Sequence, residues 1–356
     1  MRETLPVRSE SFSPVSASAR IRRIIAVCAL GAVMLTGCAE HGDAGPSAAP
    51  TENATEPAPQ AAAPLTGMPA DLEVLGRPSL AAKIGNDVEA RPQRGLDRAD
   101  LVFEELVEGG LTRYVAFWQS QIPEELGPLR SIRPMDPDII SPFGGIVAYS
   151  GGQQIFLDQM ENTPVKNFIH GQPNADPFMY RSKDKPAPHN VILRAEKLIK
   201  DQQGLSAPPT QFEHAETAEG ASALQGGTPV ATIHATFSAS RQQSWAWDAN
   251  QGVFLRSQQG KPDPDTDGKT RSATNVIALR VNIDNRYQGV PKTVLIGSGT
   301  GHVATGGQVI PVTWSKTEAT APITLTTEAG EPILLAPGNA WVELVPLISG
   351  AEVRLE

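Results

Sequence analysis

The 356-residue chain contains two cysteines, Cys28 and Cys38, both ahead of residue 40. The long remainder therefore has no disulfide, no thiolate nucleophile and no thiolate metal site, and any fold there must rest on packing and hydrogen bonding alone. Both cysteines sit in a distinctive segment. Arg20, Arg22 and Arg23 precede a thirteen-residue apolar run, Ile24 to Thr36, which ends in Leu35-Thr36-Gly37-Cys38. A membrane-spanning helix needs ~20 apolar residues, so a run of this length behind a basic flank reads as a secretory signal.

Leu-Thr-Gly-Cys resembles a bacterial lipobox. The resemblance implies a diacylglycerol on the Cys38 thiol, cleavage before Cys38 and acylation of the new amine. Two or more acyl chains anchor stably where one does not. The expected location is the outer face of the cell membrane, with residues 1–37 removed. That removal takes away five Arg and two Glu and moves the formal charge from −9 to −12. A chain this acidic repels phosphate backbones and anionic headgroups, so nucleic acid is not an expected partner and attachment to the membrane is through lipid. No second long apolar run follows the signal.

Residues 38–71 are rich in Ala, Pro, Ser, Thr and acid, without an aromatic residue, Lys or Arg. Such a composition buries too little apolar surface to offset ordering entropy, which predicts a tether of roughly 30 Å root-mean-square span. Hydrophobic patterning starts at Leu72. The pattern predicts an α+β protein in two lobes: a mixed α/β domain over 72–220 and a β-rich domain over 221–356, with a Gly- and Ala-rich seam between them. In the first, strands are expected at Leu80 to Ile84, Ala99 to Val107, Thr112 to Trp118 and Ile146 to Ser150, the second and third forming a hairpin across Gly109-Gly110. Helices are expected at Gln153 to Met160 and Val191 to Gln203, the latter with Asn190 as N-cap. Beyond Gly227, alternating runs from Val230 to Val345, Ile333 to Leu335 among them, read as strands separated by turns.

Gly297-Ser298-Gly299-Thr300-Gly301 lacks the Lys of a phosphate loop and a following helix, and reads as a tight β-turn. Tyr149-Ser150-Gly151-Gly152 lacks the pattern of a nucleophile elbow and reads as a strand end entering a helix. The six histidines form no i,i+2 or i,i+4 pair, so no metal site is expected, and no cofactor motif is present. His189, in Ala187-Pro188-His189-Asn190, reads as a cap or an anion contact at a helix start.

The densest polar cluster lies in the first lobe: Arg91, then Glu104, Glu105, Glu108 and Arg113 around Gly109-Gly110, then Arg130, Arg133 and Asp136. One reading is an ion-pair network holding loops together. The other is a ligand site in which Arg91, Arg113, Arg130, Arg133, His189 and Asn190 bind an anionic group, with Glu104, Glu105, Glu108 or Asp136 as acid or base.

Several stretches resemble the YerB-like lipoproteins, the family of the domain of unknown function 3048. They are Lys83-Ile84-Gly85-Asn86, Ala90-Arg91-Pro92-Gln93, Val107 to Arg113, Gly127 to Pro134 and Ala187-Pro188-His189-Asn190 for its N-terminal region. Thr313-Trp314 and Leu335 to Trp341 resemble its C-terminal region. The resemblance covers roughly Arg77 to Pro346 and implies a two-part surface lipoprotein without an established activity. The family commonly has Asp where this chain has Gly85. The expected function is binding of a cell-wall polymer or envelope protein through the Arg- and Glu-rich face. The alternatives are a hydrolase or transferase on wall glycan or peptide using the four carboxylates, and a structural subunit of an envelope complex.

Overall fold

The computed structural model describes residues 61–356, and no helix among them is long and apolar enough to cross a membrane. The expected signal segment, Cys38 and the expected tether as far as residue 60 lie outside the described residues. In chain order the main strands of the first half are β1 (Leu80–Gly85), β2 (Leu101–Leu106), β3 (Thr112–Trp118), β4 (Ile146–Tyr149) and β5 (Lys166–Ile169). Those of the second half are β6 (Thr232–Ser238), β7 (Arg241–Asp248), β8 (Val253–Gln258), β9 (Asn275–Tyr287), β10 (Gly297–Thr305), β11 (Gln308–Lys316), β12 (Thr324–Thr326), β13 (Ala340–Pro346) and β14 (Glu352–Leu355).

A twelve-stranded sheet runs in the order β12-β11-β10-β9-β13-β2-β3-β1-β4-β5 along its main path. First-half strands form one wing and second-half strands the other. They meet where β13 lies parallel to both neighbours, with Ala340 opposite Asn275 on one side and Leu101 on the other. The result is the α+β fold in two lobes that the sequence indicates, built on a sheet common to both.

Every residue of β1, β2, β3 and β13 is buried, because both faces of the sheet are covered. A short helix α1 (Leu72–Gly76) precedes β1, and one face of the sheet packs against α2 (Asp136–Ile140) and α3 (Gln154–Glu161): Phe103, Phe117, Met135, Ile139, Phe143, Phe156 and Met160 share this core, and the Phe117 and Phe143 rings stack at 3.6 Å. The other face receives a second sheet, ordered β8-β7-β6-β14 along its path after the short pair Lys261–Pro262, through Ile233, Trp245 and Phe254, together with Leu198 of α4 (Ala195–Asp201). Burying one large side chain of this kind contributes roughly 1.5–3 kcal/mol, so the two layers hold the sheet from both sides.

Four local expectations are corrected. The packed body begins before residue 72, since Ala63 and Leu65 are 2% and 3% exposed and Leu65 joins the main core. Val191–Arg194 is a strand, paired with Met179–Arg181 and Glu125–Leu126, and the helix starts only at Ala195, so Asn190 is no N-cap. The Gly297 to Gly301 segment is part of β10, where glycine permits close packing: a Cβ on Gly299 would lie 2.6 Å from the Trp314 indole nitrogen, and one on Gly301 2.6 Å from the Ala278 carbonyl. Ile333 and Leu335 are buried, but only an isolated bridge, His214 to Leu335, forms there.

Candidate functional site

The β2–β3 hairpin sets the site. Gly109 and Gly110 both take positive φ, +67° and +71°, which allows the tight return that places Glu105 opposite Arg113 and Glu104 opposite Tyr114. Successive strand residues face opposite sides, so Glu104 and Glu105 point to different faces of the sheet.

On the face covered by α2, Lys83 of β1 lies in register with Val115 and so projects beside Arg113 and Glu105. Its Nζ donates to Glu105 Oε1 and, at 2.7 Å, to Asp136 Oδ1 at the start of α2. Burial raises the Glu105 carboxyl to about 8, and the Asp136 charge adds to this while Lys83 and Arg113 oppose it. An isolated charge here would be prohibitive, which explains why a lysine in an otherwise apolar strand arrives with two carboxyl partners.

On the opposite face, Glu104 is bound by Asn86, Gln243 and the Arg256 guanidinium. Arg256 also donates to Asp263 and lies 5.5, 5.6 and 4.9 Å from the ring centroids of Tyr114, Trp245 and Trp341. This buried network fastens the second sheet to the first. Its arginine comes from the other half of the chain and carried no local signal in the sequence.

At the end of β1 and around the hairpin guanidinium groups gather at and just below the surface, Arg91, Arg130 and Arg133 half-buried and Arg113 and Arg241 only 8% and 7% exposed. Arg130 Nη2 is 3.6 Å and His189 Nδ1 3.5 Å from Asp87 Oδ2, and Arg130 Nη1 is 3.1 Å from His189 Nδ1. Burial, with the Arg130 charge, holds the His189 imidazole below its ordinary 6.5, so the neutral ring accepts from Arg130. Arg133 Nε donates to Glu108 at 2.8 Å, and Arg113 Nη1 to the Ser131 carbonyl at 2.6 Å. Burial would raise the Glu108 carboxyl, but the Arg133 hydrogen bond and charge bring it below its usual value. Burial together with Arg133 and Arg130 drops Arg113 to about 10. Arg241 of β7 joins from the second half, its guanidinium lowered by burial and by nearby Arg91. Among the described residues Arg91, Arg113 and Arg241 form no ion pair, and the Nε atoms of Arg91 and Arg241 are buried without a hydrogen-bond partner. Gly85 makes room for this arrangement, because a Cβ there would meet the Arg130 Cγ at 2.9 Å.

Arg113, Arg130, Arg133 and His189 are thus gathered around Asp87 and Glu108, with Arg91 and Arg241 beside them. Asn190 has a supporting part instead: its Oδ1 accepts from Arg181 at 2.8 Å and its amide donates to the Ser182 carbonyl, closing the loop that carries His189. The four carboxylates do not face one cleft. Glu104 and Glu105 are fully buried on opposite faces, Glu108 is tied to Arg133, and Asp136 to Lys83. A cleft of about 510 Å³ lies at Thr66, Asp71, Asp97, Asp100 and Asn339 and contains none of these four acids. Sequence reasoning missed Asp87 and Arg241, and gave no role to Lys83, although a charged residue within Leu80-Ala81-Ala82-Lys83-Ile84 is itself a signal of a buried partner.

A doubly covered mixed sheet shared by two chain halves, with an arginine-rich surface at the hairpin end, defines the class as a two-region α+β protein. The N-terminal domain model of the protein family of unknown function DUF3048 matches residues 65–208 and its C-terminal domain model residues 233–342. The chain belongs to this family. It is 26% identical over 299 residues to the Bacillus subtilis (strain 168) protein named "Putative lipoprotein YerB", covering 82% of this chain and 88% of that protein. The crystal structure of YerB from Bacillus subtilis superposes with a TM-score of 0.71 at 24% sequence identity, covering 82% of this chain and 99% of that one, and shares the fold.

Proposed function

We propose that the protein is an envelope lipoprotein, anchored through acylated Cys38, whose arginine surface binds an anionic component of the cell wall. One observation carries this reading: in an acidic chain of formal charge −9, five guanidinium groups cluster around and beside Asp87 and Glu108, and three of the five have no carboxylate partner among the described residues. Clustering like charges costs free energy unless a counter-charge completes the set, and guanidinium forks match phosphate or carboxylate oxygens. The relative's name, a lipoprotein, and the Leu35 to Cys38 motif support the anchor.

The test uses wall fragments carrying anionic polymer and the Arg91→Gln/Arg241→Gln double variant, which removes two unpaired charges without touching the Arg133–Glu108 pair. Affinity is expected to fall at least about tenfold, equivalent to about 1.4 kcal/mol, and wild-type binding to weaken as salt rises. Equal retention of both proteins, with the fold intact, overturns the proposal. Loss of palmitate incorporation and of membrane sedimentation in Cys38→Ser is the corresponding expectation for the anchor. A Cys38→Ser protein that stays with the membrane refutes it.

A further inference from the structure

Lys83, Glu105 and Asp136 form a closed group beneath the arginine surface, with no solvent exposure at any of the three side chains. Each is delivered by a rigid element: β1, β2 and the first residue of α2. Lys83 Nζ donates to Glu105 on one side and to Asp136 on the other; Asp136 Oδ2 is fixed by the Arg133 backbone N–H at 2.6 Å, and Glu105 Oε2 has no hydrogen-bond partner. Phe103, Val115, Ile132 and Met135 belong to the buried core of this face.

An amine and a carboxylic acid condense poorly in water because the separated ions are the stable pair and water is in excess. Both obstacles are weakened here. Burial disfavours the ions and excludes solvent, and the reacting groups are held in contact by strands rather than by diffusion. Burial also lifts the Glu105 carboxyl to about 8, so at neutral pH it keeps the hydroxyl that must depart as water.

We propose that Lys83 and Glu105 become joined by a side-chain amide, with Asp136 as the proton relay. The ammonium gives one proton to the Asp136 carboxylate, and the freed amine adds to the Glu105 carboxyl carbon. A second amine proton then goes to the departing hydroxyl, which leaves as water. The N–C bond forms, the C–OH bond breaks, and Asp136 ends as the neutral acid; no oxidant, reductant or cofactor is required. A charged, buried amine is thereby replaced by a neutral amide. The bond would staple β1 to β2 across the intervening β3, which no backbone hydrogen bond does.

Peptide mapping of the denatured, trypsin-digested full chain tests this. The expected product is a branched species joining the peptides that contain Lys83 and Glu105, lighter than their sum by one water, with no cleavage after Lys83. The Asp136→Ala variant is expected to lose the branch and regain cleavage at Lys83. The wild-type readout is independent of whether that variant folds. Complete cleavage at Lys83 in the wild-type chain overturns the proposal; a branch to Asp136 instead of Glu105 overturns the assignment of roles, and a branch retained in full by Asp136→Ala overturns the relay.

Discussion

Replacing Glu343 with Gln should make the protein less sensitive to alkali. Glu343 lies on β13 with no exposure, its Oε1 accepting from the Trp245 indole N–H at 2.7 Å. Burial pushes its carboxyl well above the ordinary 4.5; the adjacent Glu104 charge pushes the same way and Arg256 opposes it. Below the unfolded-state value both states hold the proton. Above it the unfolded chain releases the proton while the folded protein keeps it, so stability falls as pH rises until the folded-state value is reached. The loss is about 1.4 kcal/mol for each pH unit over which the folded protein keeps this proton. Gln retains an acceptor for Trp245 and an N–H donor for Glu104 but does not titrate. Urea unfolding followed by tryptophan fluorescence at pH 5 and pH 7 should show the variant gaining stability relative to wild type on going to pH 7, by at most about 1.4 kcal/mol per pH unit. Titrating groups other than Glu104, which interacts directly with Glu343, are common to the two proteins and cancel in the difference. Parallel stability curves would refute the reasoning, since they would mean that Glu343 is already ionised in the fold.

Leu65→Ala should cost about 2–5 kcal/mol in the same unfolding assay because Leu65 is part of the main core; a loss under about 0.5 kcal/mol would restore the view that this segment is tether. Gly301→Ala should cost about 1–3 kcal/mol through overpacking against the Ala278 carbonyl. Gly226→Ala, where a Cβ meets nothing within 4 Å, should stay within about 0.5 kcal/mol of wild type. Arg256→Met should lower stability by about 3–5 kcal/mol by leaving Glu104 and Asp263 buried without their shared cation, read out as a fall in thermal midpoint. A midpoint equal to wild type would show that the aromatic surroundings alone hold that region.

The strands were largely legible because their periodicity is local: Leu80 to Ile84 and Thr112 to Trp118 announce burial on both faces by themselves. The hairpin across Gly109-Gly110 was also legible, and it is this return that brings Arg113 opposite Glu105. Val191 to Gln203 misled because Val191-Ile192-Leu193 is apolar in either a helix or a short strand, and only pairing with Met179–Arg181 decides. The Gly297 to Gly301 run looked like turn chemistry; its glycines answer instead to Trp314 and Ala278 on neighbouring strands, which sequence order does not reveal. Ala63 and Leu65 are too few apolar residues in a Pro- and Ala-rich stretch to register as core. Within the site, most of the arginines were visible as a cluster in one half of the chain. Arg241 and Arg256 were not, because each reaches its first-half neighbours from more than about 120 positions away, through contact between two sheets.

The position of β13 governs the order in which this architecture can be completed. It is the strand that joins the wings, and it comes from residues 340–346 of 356, so nearly the whole polypeptide must be available before the middle of the sheet can close. Until then β2 and β9 each present an open edge, with unpaired backbone groups ready to pair with other chains. A product truncated just short of Ala340 would be left with both edges exposed and would aggregate rather than persist as half a protein. Late closure also keeps the unfinished polypeptide pliable until its last long strand arrives.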